Sequence, residues 1–563
     1  MNKTSVGKAV VESLRSEGVK HVFYTAGSCI LPILDALYDA EDIRGIAAKH
    51  EQSAAHMADA YARTTGTPGV CLVHNGPGLT NTISGVATAY RAHSPLIILS
   101  GAPATSHIYL DSVQEVDQQS LLRPVVKWNA QVNRAERILE LMEYAFRVAT
   151  TGRMGPVHLD IPRDLQYKVI DMDPLPTKNH RQGERVRGDP DLIKAAAERL
   201  IQAERPLIIA GGGVVWSDAT QPLIELAEVL TIPVATSYGH VDAFPSNHPL
   251  AVGQLGRAGS GAARRLALEA DLILALGTRL GHFTTYFRYD YISSEAAVIH
   301  VDIDAEAVGR YYPVAVGIVG DAREVVGELL DALKTHLHDM NPRNPGRLVE
   351  ITAIKESWRE ETVLKTDSAS FPIKPQRVFK ELREIADDNA IFALDAGSAC
   401  AYGYHLLECH EPRTFLSPLE FACMGWGYPA AIGAQAAKPD RQVFAICGDG
   451  AFTMSMQEIG VAVQYDLPVV GVVLNNHCLG AEKAYQKHFF DERYYGVELD
   501  SPDFAKIADA FGAKGLSVER PSEIKPALRE ALNSGVPSII DVSIDPEELT
   551  PPARTDVVKR RMK

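Results

Sequence analysis

The segment ICGDGAFTMSMQEIGVAVQYDLPVVGVVLNN runs from an apolar stretch into Gly448-Asp449-Gly450 and ends at Asn475-Asn476. By residue type it is a strand, a tight glycine turn, a helix and a second strand. A glycine turn at a helix N-terminus offers backbone N–H groups and the positive end of the helix dipole to a phosphate. Asp449 adds a hard carboxylate oxygen, and Asn476 an amide oxygen from the end of the following strand. Such ligands, together with phosphate oxygens, suit Mg²⁺ in octahedral geometry at about 2.0–2.1 Å. A Gly-Asp-Gly turn alone is also an ordinary strand-to-helix joint. The βαβ setting and the paired asparagines select the Mg²⁺–diphosphate clamp.

This unit resembles the diphosphate-binding signature of thiamine diphosphate (ThDP) enzymes. Such enzymes need a second element, a carboxylate that activates the aminopyrimidine of the cofactor. Glu51, in His50-Glu51-Gln52 between a strand and an Ala-rich helix, answers to it. A carboxylate bonded to the pyrimidine N1′ prepares the 4′-amino group to act as a base. A lone Glu here would simply suit the helix dipole; beside the clamp, the acid–base role prevails.

The elements that must position these residues alternate along the chain. Residues 1–172 place short apolar runs (HVFYTAG, GVCLVHN, PLIILSG, PVHLDIP) between helical stretches, the first being the amphipathic MNKTSVGKAVVESLRSEGV. A second block, 190–340, carries PLIIAGGGV, IPVATSY, LILALGTRL and AVIHVDID, and a third, 365–549, carries IFALDAG, VFAICGDG, PVVGVVLNN and SIIDVSI. This alternation predicts three α/β domains, each a doubly wound parallel sheet: pyrimidine-binding, central and diphosphate-binding. Polar, Pro-containing connectors separate them, the second over roughly 338–372, and residues 550–563 form a basic tail. Ligands of open α/β sheets sit at the carboxyl ends of strands, where Glu51, Asp449 and Asn476 all fall. Gly211-Gly212-Gly213 follows a strand without a GxGxxG pattern, so tight strand–helix packing is the expectation there. Arg279 reads as a surface residue.

Over nearly its full length the chain resembles the acetohydroxyacid synthase-like branch of ThDP enzymes, and within it the sulfoacetaldehyde acetyltransferases. The resemblance implies that Asp449, Asn476 and the main-chain oxygen of Cys478 hold Mg²⁺. Gly397, Ser398, Gly448, Gly450 and Ala451 would lie along the diphosphate, with Gly76 of the Gly76-Pro77-Gly78 turn also beside the cofactor. In PLEFACMGWGYPAAIGAQAA, Met424 would wedge between the two cofactor rings and Ala422 would offer its carbonyl to the 4′-amino group. Holding the rings together makes the proton transfer intramolecular. Members of the branch build the site between two subunits, so a homodimer or homotetramer is implied. Some carry FAD against the central domain, for which no specific motif is present here.

Substrate choice rests on less. Gly480-Ala481-Glu482-Lys483 resembles the acetyltransferases, while Ala484-Tyr485-Gln486 departs from the QWQ pattern of acetolactate synthesis. Ser28, His74, Gln114, Glu482, Lys483 and Tyr485 are the candidate substrate residues, with Lys483, Arg493 and Arg554 as cations for a sulfonate or phosphate. A turn Ser, a structural His and a solvated helix are the plain alternatives for these positions. The expected reaction cleaves a C–C or C–S bond and transfers a two-carbon unit, foremost sulfoacetaldehyde and phosphate to acetyl phosphate and sulfite. The alternatives are decarboxylation or carboligation of a 2-oxo acid, as in acetolactate synthesis, and cleavage or decarboxylation of a 2-hydroxyacyl- or oxalyl-CoA. A catalytically silent homologue would not need Glu51, Asp449 and Asn476 together.

Composition excludes other classes. The chain has 563 residues, long enough for several cores, and a formal charge of −15, which disfavours nucleic acid and anionic membranes. No apolar run approaches the ~20 residues of a membrane span. Seven scattered cysteines without a CxxC pair suit reduced thiols in the cytoplasm.

Overall fold

The computed structural model describes residues 2–172, 185–336 and 345–551. Three six-stranded parallel sheets occupy them in turn. In the first, the spatial order is Arg44–Ala47, His21–Tyr24, Gly69–Val73, Leu96–Ala102, Val157–Pro162 and Trp128–Gln131. Its central strands are buried throughout and therefore read as continuous apolar runs. The short antiparallel pair of Asn2–Ser5 with Val169–Met172 brings the two ends of this domain together.

The central sheet runs Ala251–Gln254, Val234–Thr236, Pro206–Ala210, Leu272–Leu276, Ala297–Asp302 and Val316–Val319. The third runs Phe415–Leu416, Ile391–Leu394, Val443–Gly448, Val470–Asn475, Ser538–Ser543 and Lys514–Val518. Glycine packing in the central domain agrees with expectation: a Cβ on Gly213 would lie 2.6 Å from the Cα of Gly277.

The second connector departs from its polar appearance. Residues Pro345–Thr366 form one 22-residue helix. Ile351 and Ile354 are buried in the central core, and Trp358 packs under Gly261, whose added Cβ would meet its ring at 2.6 Å. Three apolar anchors suffice to dock a helix whose overall pattern is weakly amphipathic.

The first and third domains meet through the helices Glu51–Thr65 and Gly427–Ala437. A Cβ on Gly433 would lie 2.1 Å from the carbonyl oxygen of Met57, so the backbones touch. Buried Arg63 and Asp59 form an ion pair at 2.7 Å beside this contact, and Asp59 also accepts from Trp426 Nε1 at 3.1 Å.

Candidate active site

The first half of the site stands at the carboxyl ends of adjacent strands. Glu51 opens its helix immediately after the N-cap His50, whose ring Nδ1 accepts from Gln52 N–H at 3.1 Å. The two carboxylate oxygens are held separately: Thr25 Oγ1 donates to one at 3.0 Å and Asn81 Nδ2 to the other at 2.9 Å. Glu51 is half-buried within the single chain. Neither Thr25 nor Asn81 stood out in the sequence, since both are small polar residues at a strand end and in a helix, where nothing marks them as partners.

The substrate candidates of this domain gather around Glu51's neighbours. His74 Nε2 lies 2.7 Å from Gln114 Oε1, and its Nδ1 accepts from Cys29 N–H at 3.3 Å, next to exposed Ser28. Gly76 has φ +58°, and an added Cβ would lie 2.2 Å from the Gln114 carbonyl oxygen, so only glycine lets the 103–118 loop approach. Gln118, which the sequence did not single out, locks that approach. It accepts from Gly76 N–H at 2.7 Å and donates to Asp160 at 2.5 Å, both deep in the domain.

The second half lies at the ends of Ile391–Leu394, Val443–Gly448 and Val470–Asn475, three neighbouring strands. Gly448 caps the short helix Asp449–Thr453, and Gly397, at φ +87°, caps Ser398–Leu406. Among the described residues, a Cβ on either glycine would meet nothing within 4 Å, and the buried Ser398 Oγ has no partner. Gly450 differs: its Cβ position is filled by Leu479 at 2.7 Å and Leu499 at 2.9 Å, so packing accounts for that glycine. Ala451 is buried in the same short helix.

Asp449 is 1 % exposed and accepts from Ser501 Oγ at 2.6 Å. Burial pushes its carboxyl above the ordinary range, with the Ser501 bond working the other way. A divalent cation would supply the missing countercharge. Beyond Asn475 the chain turns through His477 at φ +52°, and Asn476 Oδ1 accepts from Cys478 N–H at 3.3 Å. Open space at two helix N-termini, an orphaned hydroxyl and a desolvated carboxylate beside an amide together fit a diphosphate and Mg²⁺.

Met424 is half-buried, with its Cε 3.8 Å from the Gly450 Cβ position, and exposed Ala422 takes φ +53°. The turn that carries Met424 hangs on Asp395, a residue the sequence reading passed over. Its carboxylate accepts from Ala396 N–H at 2.8 Å, Gly425 N–H at 3.0 Å and Gly427 N–H at 2.8 Å. Burial raises its pKa to about 6. An acid directly after the apolar run IFAL was the available signal.

On the helix Gly480–Phe489, Glu482 is exposed and Tyr485 packs against the core of the third domain. Lys483 is not a free cation: its Nζ pairs with Glu547 at 2.8 Å and donates to the Pro546 carbonyl at 3.2 Å. Arg493 is exposed, and Arg554 lies outside the described residues. Arg279 departs from its surface expectation by pairing with Glu420 at 3.3 Å. It lines a cavity at the carboxyl ends of the central strands with Gly212, Trp216, Asp302, Arg153 and Glu420. Within one chain, no hydrogen bond joins the Glu51 group to the Asp449 group among the described residues.

Two half-sites of this kind on separate domains define a cofactor enzyme, and comparison with known proteins gives its family. Residues 4–121, 193–329 and 395–542 match the N-terminal TPP binding, central and C-terminal TPP binding domains of thiamine pyrophosphate enzymes, and the chain belongs to that family. A probable acetolactate synthase large subunit of Methanocaldococcus jannaschii is 40% identical, over 97% of this chain and 92% of its own. A sulfoacetaldehyde acetyltransferase of Alcaligenes xylosoxydans xylosoxydans is 35% identical, over 100% and 96%. The acetolactate synthase large subunit of Haemophilus influenzae is 36% identical, over 97% and 96%. Both groups align over 97% or more of this chain.

Proposed function

We propose that the chain is a ThDP- and Mg²⁺-dependent enzyme that cleaves a C–C or C–S bond and transfers a two-carbon unit. One observation carries this: Glu51, with each oxygen fixed by a separate donor yet still accessible, stands in the same chain as the open cradle of Gly397, Ser398, Gly448 and Asp449. ThDP supplies a carbon nucleophile and an electron sink. Glu51 would hold a proton at the pyrimidine ring, Asp449, Asn476 and Cys478 the Mg²⁺, and Ser398 the diphosphate. Met424 would orient the rings. The reaction we favour converts sulfoacetaldehyde and phosphate to acetyl phosphate and sulfite, supported by the full-length likeness to sulfoacetaldehyde acetyltransferases. Likeness to acetolactate synthases supports the second reading, condensation of 2-oxo acids.

The test is sulfite release from sulfoacetaldehyde by the purified protein with ThDP and Mg²⁺, with and without phosphate. Phosphate-dependent release with matching acetyl phosphate establishes the first reaction. Acetolactate from pyruvate, with no sulfite released, establishes the second.

A second copy of the chain completes the site in this proposal. Tyr109, Leu110 and Val113 are 94 %, 68 % and 85 % exposed on the loop that carries Gln114, an apolar cluster suited to burial against a partner. The central cavity, with Arg153 and Arg279 near Asp302 at strand carboxyl ends, suits a nucleotide such as FAD; flavin absorbance of the purified protein checks it.

A further inference from the structure

Buried or half-buried arginines in this chain have acids beside them: Arg63 has Asp59, Arg279 has Glu420 and Arg347 has Glu350. Arg257 does not. Its backbone is anchored, the N–H donating to Phe283 O at 2.8 Å and the carbonyl accepting from Gln254 Nε2 at 3.0 Å. Its side chain reaches only the phenol oxygen of Tyr238, at a long 3.4 Å, and lies 5.0 Å from the centre of the Phe283 ring. The Nε atom is sealed from solvent and has no hydrogen-bond partner, and Nη2 bonds to none of the described residues.

The groups that bear most strongly on this cation are Tyr238, Tyr404, Tyr286 and Cys400. None offers a negative charge near neutrality, since burial pushes Tyr238 and Cys400 up to about 12 and Tyr404 higher. A guanidinium stays protonated regardless. Stacking on an aromatic face recovers part of its lost hydration, but an unpaired buried cation remains costly. Nε being sealed, Nη2 is the arm of this planar fork left to donate to an oxygen of a carboxylate, sulfonate or phosphate.

Its position gives the fork a use. Cys400 and Tyr404 belong to the helix Ser398–Leu406, whose first turn carries the orphaned Ser398 hydroxyl of the diphosphate cradle. Arg257 thus flanks, from the central domain, the helix whose N-terminus forms part of the cofactor cradle.

We propose that Arg257 binds the oxyanion of the substrate or acceptor and so selects charged over neutral partners. This rests on the ThDP-site reading above. The test is calorimetric titration of the full-length protein, loaded with ThDP and Mg²⁺, with acetate, methanesulfonate and inorganic phosphate in separate runs. At least one should bind, and its identity gives the oxyanion class. R257Q should weaken that anion by about 10-fold or more. R257K, which keeps the charge and loses the fork, should fall between. ThDP affinity should be the same in all three proteins. No anion binding to the wild type, or equal binding in R257Q, overturns the proposal; should R257Q fail to fold, equal binding in R257K does so. Failure of the wild type to bind ThDP would overturn the cofactor-site reading instead, and the same titrations without cofactor would still judge Arg257.

Discussion

The two carboxylates of the half-sites sit in opposite circumstances, and their substitution should separate accordingly. Glu51 is held by neutral donors and needs only to keep a proton in place. Glu51→Gln preserves both hydrogen-bonding positions, so ThDP should bind with near-normal affinity while turnover falls by about 10²–10⁴-fold. Stopped turnover alongside a normal ThDP titration checks this. Asp449 is buried against Ser501 without a countercharge. Asp449→Ala should therefore raise the Mg²⁺ and ThDP concentrations needed for activity, and unchanged requirements would refute the clamp. These residues were legible because their types are tied to fixed local patterns. The supports were not: Asn81 meets Glu51 from 30 positions away, and Gln118 meets Asp160 across 42. The pairing of Lys483 was hidden for a related reason, since Glu547 lies 64 positions on, beyond two helices and two strands.

At the scale of elements, apolar runs marked the buried strands, and edge strands escaped. Trp128–Gln131 is half-buried along its length, and Val316–Val319 alternates, so neither makes an uninterrupted apolar stretch. The helix Pro345–Thr366 escaped because its apolar anchors Ile351, Ile354 and Trp358 are widely spaced in an otherwise polar segment. Closest packing was equally invisible, since a glycine in an Ala-rich helix resembles many others. Gly433→Ala tests its importance. With Met57 O only 2.1 Å from the new Cβ, the helices must separate, and the loss should reach about 1–3 kcal/mol. A chemical denaturation midpoint close to wild type would show that the contact yields.

For the whole molecule, three buried carboxyls set a pH dependence. Burial lifts Glu458 to about 7 and Asp242 and Asp395 to about 6, from 4.5 and 3.8. As pH rises between those values the unfolded chain releases protons that the native chain retains. Their contribution is therefore complete below the unfolded values, declines above them, and is lost by about pH 7. Buried His56 and His240, lowered to about 3, act oppositely below pH 6.5. Glu458→Gln isolates one term, because an amide oxygen can still accept from Lys49 N–H. Its Tm relative to wild type should rise from about pH 4.5 to about pH 7 and level off above; a constant difference would exclude the effect. On the surface, replacing Tyr109 and Leu110 together with Asp should lower the molar mass seen by light scattering if the loop joins two copies.

The cores divide the molecule differently from the chain order. One cluster draws its residues from both the first and third domains, another is built entirely between Ile193 and Ile354, and a third ties Tyr238, Val241, Phe283 and Tyr286 of the central domain to the third. With a core of its own, the central domain should still melt as a distinct calorimetric step beside that of the outer pair, the shared cluster drawing the two steps closer together. ThDP would displace the step of the outer pair, and a nucleotide in the central cavity the other. The melting record of the protein as isolated would thus report, before any assay, which of its two sites is filled.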